Sequence, residues 1–164
     1  MRQTTDVRYL IVPGWQGSSA EHWQSHWQQV LPACARVEQD DWLLPERQAW
    51  VAQAPAALLD RVCGALLVAP ADVERSDCPE PLRNFAPMPN SNLPFASVLI
   101  GSSNDHAATA QRALEFAQAW GSEAVIVPNA GHINVQSGHH RWEQGFAWLY
   151  QLQEHAKSDC QRSA

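Results

Sequence analysis

The chain has 164 residues, of which 45% are hydrophobic and 17% charged, and its formal net charge is -6. This length favours one domain with a single core, over residues 1–164. The acidic balance and the scattered Lys and Arg argue against nucleic-acid binding, and no apolar run approaches a membrane span. The polar start at residues 1–6 predicts no signal peptide, and four cysteines without a C-x-x-C pair predict free thiols in a reduced cytoplasm.

Short apolar runs, several of them β-branched, alternate with stretches of helical periodicity. This alternation predicts an α/β fold of three α/β/α layers, with a mostly parallel, doubly wound sheet of about five strands. The predicted strands are Tyr9–Val12, Ala35–Glu38, Cys63–Ala69, Ser97–Ile100 and Ala124–Val127. The predicted helices run over about Ala20–Leu31, Glu46–Asp60, Ala107–Trp120 and Arg141–Ala156.

Local signals refine several of these elements. Ser18 or Ser19 is placed to cap the first helix, and Pro55 kinks or divides the second. The run Cys63–Ala69 is predicted to be a buried strand with Cys63 in the core. Six of the eleven prolines fall in residues 70–94, which predicts a long loop with about one helical turn.

Two polar residues follow strand-like runs late in the chain. Asp105 closes the run 96–105, His132 closes the run 123–132, and a helical stretch ending at Gly121 lies between them. Strand–Asp, helix, strand–Gly-His is the order in which an α/β-hydrolase presents its orienting acid and its base. The preceding serine should lie in a G-x-S-x-G elbow, but neither 17–21 nor 101–105 has the closing glycine. The carboxylate of Asp105 is alternatively a cap for the helix that follows it.

Several short segments occur together in one order: Val12–Ser18, Glu21–Trp23, Ala65–Pro70, Ser102–Asp105 and Ala130–Asn134. Over residues 8–152 this ordered set resembles the small serine hydrolase family of the α/β-hydrolase superfamily. The resemblance implies hydrolysis of a small acyl ester or amide, with His132 as the base and Asp105 as its orienting acid. It also implies a loop beside the substrate, with the backbone N–H of Trp15 as an oxyanion donor; the loop residues are Gly14, Trp15, Gln16 and Gly17.

The chain departs from this family at one place. The family has a strand, a serine elbow and a helix after its second strand and helix, whereas residues 50–61 lead here directly into the strand Cys63–Ala69. A block of this kind takes ~25 residues at typical element lengths. Its loss would let five strands close in the order 2-1-3-4-5, with Tyr9–Val12 paired directly to Cys63–Ala69.

The remaining candidates for a nucleophile are Ser18 and Ser102. Neither lies on a strand-to-helix elbow that would expose its Oγ to a histidine, so capping and turn hydrogen bonds explain them better. We therefore expect a family member with impaired catalysis, or alternatively a non-catalytic binding protein that retains the cleft.

The sequence disfavours two other classes of site. His22 and His26 are four residues apart on a helix, and His139 and His140 are adjacent, but no H-E-x-x-H glutamate accompanies them, so we expect no metal. A flavodoxin-like phosphate binder is disfavoured because bulky Trp15 stands where open backbone amides are needed. We expect no cofactor and no nucleic-acid or membrane partner.

Overall fold

The computed structural model describes residues 8–53 and 61–162, with side chains described to residue 156. The strands are β1 (Tyr9–Ile11), β2 (Cys34–Arg36), β3 (Gly64–Val68), β4 (Ala96–Ser102) and β5 (Glu123–Val127). The helices are α1 (Trp23–Val30), α2 (Arg47–Ala52), α3 (Ala110–Trp120) and α4 (Glu143–Arg162). Short 3₁₀ helices occupy Glu80–Phe85 and Val135–Ser137. This alternation confirms the predicted α/β class. None of the described helices is both long and apolar enough to cross a membrane.

The described strands form two parallel sheets, one in the order β1-β2 and the other in the order β3-β4-β5. The prediction of a single closed sheet, with Tyr9–Val12 paired to Cys63–Ala69, is therefore wrong. The described strands of the two sheets are not hydrogen bonded to each other, but one aromatic and aliphatic core lies under both sheets. Ile11 of β1 and Ile100 of β4 belong to the same buried cluster. Each sheet is held in place by this core without a backbone ladder between the two.

Exposed apolar residues lie on β1 and directly after it, where no described strand pairs with the edge away from β2. Leu10 is 46% exposed and Val12 is 56% exposed. The backbone N–H of Tyr9 donates to Ala33 beside β2, so the polar groups of Leu10 are directed to the opposite edge. Every residue of β3 is half-buried, which corrects the prediction of a fully buried strand. Such edges are templates for pairing with another strand.

The cysteines in the described side chains are free thiols. Cys63 is exposed, which corrects its prediction as a core residue, because β3 begins only at Gly64 and its edge is uncovered. Cys78 is buried, and Cys34 is half-buried. Burial raises the pKa of the Cys34 thiol. Cys160 lies outside the described side chains.

Helix α1 begins later than predicted and is capped by another residue. His22 is its N-cap, and the ring Nδ1 accepts a hydrogen bond from the Gln24 backbone N–H. Ser18 does not cap the helix, because its hydroxyl donates to the Gln24 side chain. Ser19 does not cap it either; its carbonyl accepts from the hydroxyl of Ser25 at 2.7 Å.

The tryptophans of α1 form the centre of the core. Trp27 is 3% exposed and stacks on Phe146 of α4, with ring centroids 4.3 Å apart. Trp23 and Trp142 complete the cluster, at 4.8 and 5.5 Å from the Trp27 ring. The helical spacing of Trp23, Trp27, Val30 and Leu31 predicts one buried stripe. Val30 is 52% exposed, which corrects its place in that stripe, whereas the other three residues are buried. The two tryptophans pack α1 against the last helix.

Two other helix boundaries differ from the predictions. Helix α2 ends at Ala52, and the rest of the predicted helix from residue 54 to Asp60, with the predicted kink or division at Pro55, lies outside the described residues. Helix α3 begins at Ala110, because Thr109 accepts a hydrogen bond from Arg112 N–H as its N-cap. The turn in the long loop is the 3₁₀ helix Glu80–Phe85. Gly121 ends α3 with φ of 68°, as its position predicted.

Candidate active site

Two loops lie side by side at the carboxyl ends of β4 and β5, and polar side chains of the first bind the second. The Ser103 hydroxyl accepts from the Asn129 N–H at 2.9 Å. The Ser102 hydroxyl accepts from the Ala130 N–H at 3.0 Å. These bonds begin a set of side-chain-to-backbone hydrogen bonds, which we call the ladder. In it, residues at the end of β4 and directly after it bind residues of the loop after β5.

The ladder continues to the candidate acid and base. The Asn104 side chain accepts from the Gly131 N–H at 2.7 Å. Asp105 then meets the ring of His132, whose Nδ1 lies 2.9 Å from Oδ2 and 3.0 Å from Oδ1. Each polar residue of the segment 102–105 therefore binds a residue of the segment 129–132. The ladder places the histidine by rigid backbone contacts.

The carboxylate of Asp105 is placed to fix the tautomer of His132. Its side chain is 2% exposed, whereas that of His132 is 29% exposed. The Ala107 N–H donates to Oδ1 at 2.8 Å and orients the carboxylate further. Since the carboxylate accepts Nδ1–H, the ring presents Nε2 with a lone pair, as a general base requires. Asp105 is not the cap of α3, because that position belongs to Thr109.

Gly131 is required by the turn that carries His132. Its φ is +58°, and a Cβ placed there would lie 2.6 Å from the Ser137 Cβ. Asn134 and Ser137 bind each other's backbone N–H groups and close the following 3₁₀ turn. A side chain at residue 131 would thus both strain the backbone and displace this turn.

Sequence reasoning missed the side chains that support His132. Ser103 and Asn104 received no role, although their position beside Asp105 after a strand was a usable signal. Trp23 was assigned only to packing, yet its indole Nε1 donates to the Ile133 carbonyl at 2.7 Å. His106 also approaches, with its ring centroid 5.4 Å from that of His132.

The predicted substrate loop makes a tight turn next to Trp42. The Gln16 N–H donates to the Trp42 carbonyl at 2.9 Å, and the Gly17 N–H donates to Gly14 at 3.0 Å. Gln16 and Gly17 both have positive φ, of 67° and 68°. Within the described residues, the Trp15 backbone N–H has no hydrogen-bond partner. The Gly14 N–H likewise has no partner among the described residues, so the turn leaves two adjacent amides of this loop unbonded.

The two candidate serines have their hydroxyls committed to neighbours. Ser102 is 1% exposed, and its Oγ donates to Asn104 at 2.9 Å besides accepting from Ala130. Ser18 donates to Gln24. Among the side chains described up to residue 156, no serine hydroxyl hydrogen bonds to the His132 ring.

The other histidines are dispersed. His22 caps α1, and the His139 Nδ1 lies 3.1 Å from the Ser137 hydroxyl. His26 and His140 line a shallow cleft of about 220 Å³ with Glu21 and Arg141. In the described part of the chain, no three His, Cys, Asp or Glu side chains are grouped to hold a metal ion.

His22 is kept neutral by its surroundings. Burial, the positive charge of Arg36 and, to a smaller extent, His132 lower the pKa of His22 to about 4. The folded state therefore binds fewer protons at this residue than the unfolded state does between about pH 6.5 and 4. A penalty on folding appears as the pH falls below 6.5 and is complete near pH 4.

Replacing His22 with Asn should reduce the loss of stability on acidification. Asn is a strong N-cap residue and does not titrate, so it preserves the cap and removes the penalty. His22 is only half-buried, so solvent reduces the effect. We expect the difference in the free energy of unfolding between the two proteins to change by about 1 kcal/mol from pH 7 to pH 4.5. Urea unfolding of both proteins at the two pH values measures it. Equal losses in the two proteins would contradict the assignment.

The parallel α/β layers, with a buried carboxylate and a histidine on adjacent strand ends, define an α/β-hydrolase-like protein. Sequence comparison agrees: the family profile described as "Serine hydrolase" matches residues 9–59 and 51–151. The chain belongs to the serine hydrolase family, and hydrolysis is its general reaction class. No curated protein sequence matches the chain.

Two solved structures resemble the chain closely. One is a YdeN-like hydrolase from Pectobacterium atrosepticum, 29% identical, with a TM-score of 0.75 over 90% of this chain and 92% of that one. The other is the ydeN gene product of B. subtilis, 14% identical, with a TM-score of 0.74 over 90% of this chain and 98% of that one. The second likeness concerns the fold alone.

Proposed function

We propose that this chain retains the acid and base of a carboxylic-ester or amide hydrolase but lacks the nucleophile that they serve. The observation that carries the proposal is the Asp105–His132 pair, bonded at 2.9 Å, with no serine hydroxyl on its ring among the described side chains. In a serine hydrolase the base must remove a proton from a hydroxyl within hydrogen-bond reach. His132 therefore has a carboxylate that orients its ring, but among the described side chains it has no serine hydroxyl from which to remove a proton.

The family match supports the loss of a block between Trp50 and Val62. It comes in two stretches that overlap at residues 51–59 instead of one continuous stretch. The same region separates β2 from β3, which belong to different sheets. The loss of a strand, an elbow and a helix at this position would account for both the divided family match and the separation of the two sheets.

Ser102 and Ser18 support the proposal through their bonding. The Ser102 hydroxyl accepts a hydrogen bond from the Ala130 N–H in the loop 129–132. It therefore helps to position His132 and does not act as the nucleophile. Ser18 binds the Gln24 side chain at the start of α1. The Trp15 N–H remains a candidate donor for a substrate carbonyl, which is compatible with binding without turnover.

We expect no labelling by a serine-directed fluorophosphonate probe and no hydrolysis of p-nitrophenyl acetate above background. His132→Ala is the matched control. If a nucleophile were present, this change would lower kcat by about three orders of magnitude or more. We expect the two proteins to be indistinguishable. Stoichiometric labelling that disappears in His132→Ala would overturn the proposal and identify a working hydrolase.

A further inference from the structure

An apolar surface lies beside the candidate substrate loop. Three of its side chains are largely in solvent: Leu43 is 64% exposed, Leu44 is 67% exposed and Val51 is 64% exposed. We call Leu43, Leu44 and Val51, with the rings of Trp42 and Trp50, the apolar shelf. The two rings meet edge to face with centroids 5.5 Å apart, which joins α2 to the preceding loop.

Hydrogen bonds hold the two leucines in place. The Asp41 carboxylate accepts from the N–H of Leu43 at 2.8 Å and from that of Leu44 at 2.9 Å. These backbone bonds lower the pKa of Asp41, so the carboxylate stays charged and keeps the turn at neutral pH. The Trp50 indole donates to the Asp41 carbonyl at 3.1 Å. The turn is thus ordered before any ligand arrives, which lowers the entropic cost of binding.

A second set of bonds anchors the far side of the shelf. Asn84 accepts from the Arg47 N–H at 2.7 Å and donates to the Pro45 carbonyl at 2.9 Å. The ring of Phe85 lies 5.7 Å from that of Trp50. The shelf is therefore braced by the 3₁₀ helix Glu80–Phe85.

The shelf is continuous with the loop that carries the two unbonded amides. The Trp15 indole Nε1 donates to the Leu43 carbonyl at 3.0 Å, and the Gln16 N–H donates to the Trp42 carbonyl at 2.9 Å. A Cβ on Gly17 would lie 3.3 Å from the Trp42 ring. A polar donor, the Trp15 N–H, thus adjoins a surface of apolar side chains, and the nearby Asp41 carboxylate is bound to the backbone N–H groups of Leu43 and Leu44. That combination suits a ligand with a carbonyl or carboxylate head and a hydrocarbon tail.

We propose that the apolar shelf binds the aliphatic chain of an acyl ligand whose carbonyl end reaches the Trp15 N–H. This inference rests on the proposed function, because it takes the loop 14–17 to be the carbonyl side of the site. The expected ligand is an acyl group with an aliphatic chain of medium length, and not a short group such as acetyl. Binding by this route needs no nucleophile.

Affinity for octanoate, decanoate and dodecanoate, each below its micellar concentration, tests the inference by calorimetry on the whole chain. We expect affinity to rise about threefold for each added methylene that contacts the shelf. Leu44→Glu and the milder Leu43→Ala should weaken dodecanoate binding, the former at least tenfold. The matched control is Leu114→Glu, since Leu114 is 43% exposed on α3 and should leave binding unchanged.

Several results would overturn the inference. Affinity independent of chain length, no binding at all, or equal losses in Leu44→Glu and Leu114→Glu would each reject an acyl site on the shelf. Sedimentation in which Leu44→Glu dissociates an oligomer while acyl binding is unchanged would assign the shelf to a second copy of the chain. Fluorophosphonate labelling reads out the proposed function separately, because it reports the nucleophile and not the tail.

Discussion

Insertion of a strand–elbow–helix block between Trp50 and Val62 is expected to convert this chain into an active esterase. The block would be ~25 residues long and would carry the serine elbow that the resemblance to the serine hydrolase family implies. The inserted serine should acquire fluorophosphonate reactivity, and kcat/KM for a p-nitrophenyl ester should rise by about three orders of magnitude or more.

The physical reason is that the other parts of the site are already assembled. The ladder from Ser102 to Asn104 holds the loop of His132, and Asp105 orients its ring at 2.9 Å. The uncovered edge of β1, marked by the exposed Leu10, and the half-buried β3 can each accept a parallel strand. The insertion would therefore supply a hydroxyl to a base that is already positioned.

Two controls separate this result from a general effect of insertion. The same block with its serine replaced by alanine should fold alike and stay inactive. His132→Ala in the active chimera should remove most of the gain. A chimera that folds with both new strand edges protected from hydrogen exchange, yet reacts with no probe, would show that His132 is not positioned for catalysis.

Trp27→Ala should cause the largest loss of stability of any single substitution considered. The side chain is 3% exposed and contacts three aromatic rings that join α1 to α4, with Phe146 at a centroid distance of 4.3 Å. Truncation of a buried aromatic leaves a cavity and costs about 3–5 kcal/mol. That is a large part of the ~5–15 kcal/mol that stabilises a typical domain. Urea unfolding followed by circular dichroism measures the change.

Trp27→Phe separates packing from hydrogen bonding. It retains the stacked ring but removes the bond from Nε1 to the Arg141 carbonyl, which is 3.1 Å long. We expect a loss of about 1 kcal/mol from the bond, plus a smaller packing term. Leu114→Ala, at an exposed position of α3, should stay within about 0.5 kcal/mol of the original chain. A Trp27→Ala loss no greater than that of Leu114→Ala would show that the aromatic cluster does not hold the two sheets together.

The candidate acid and base could be predicted because their signals are local. Asp105 and His132 each follow an apolar run that is long enough to be a strand, and parallel strands bring such positions to one edge of a sheet. The contact between them is observed, whereas their catalytic roles stay predictions. The supporting bonds of Ser103 and Asn104 could not be read in advance, because they depend on which backbone amides the second loop presents.

The predictions of the α1 cap and of the burial of Cys63 were wrong for a related reason. Serine is a favourable capping residue, yet His22 is the N-cap of α1, and the Ser18 hydroxyl donates a hydrogen bond to the Gln24 side chain instead. Cys63 lies in an apolar run, yet it is exposed because β3 begins only at Gly64 and, within residues 8–53 and 61–162, no strand pairs with that edge of β3. In the first case a side chain outside the predicted cap decided the outcome, and in the second case the arrangement of the strands decided it.

The sequence by itself determined the α/β alternation, the helical stripe of Trp23 and Trp27, and the order in which acid and base follow their strands. These are properties of nearest neighbours and of periodicity, which a single chain displays directly. Only the tertiary structure decided that β1 and β3 remain apart. Strand pairing joins segments that are far apart in the chain, and among the described strands β1 pairs with β2 and β3 pairs with β4.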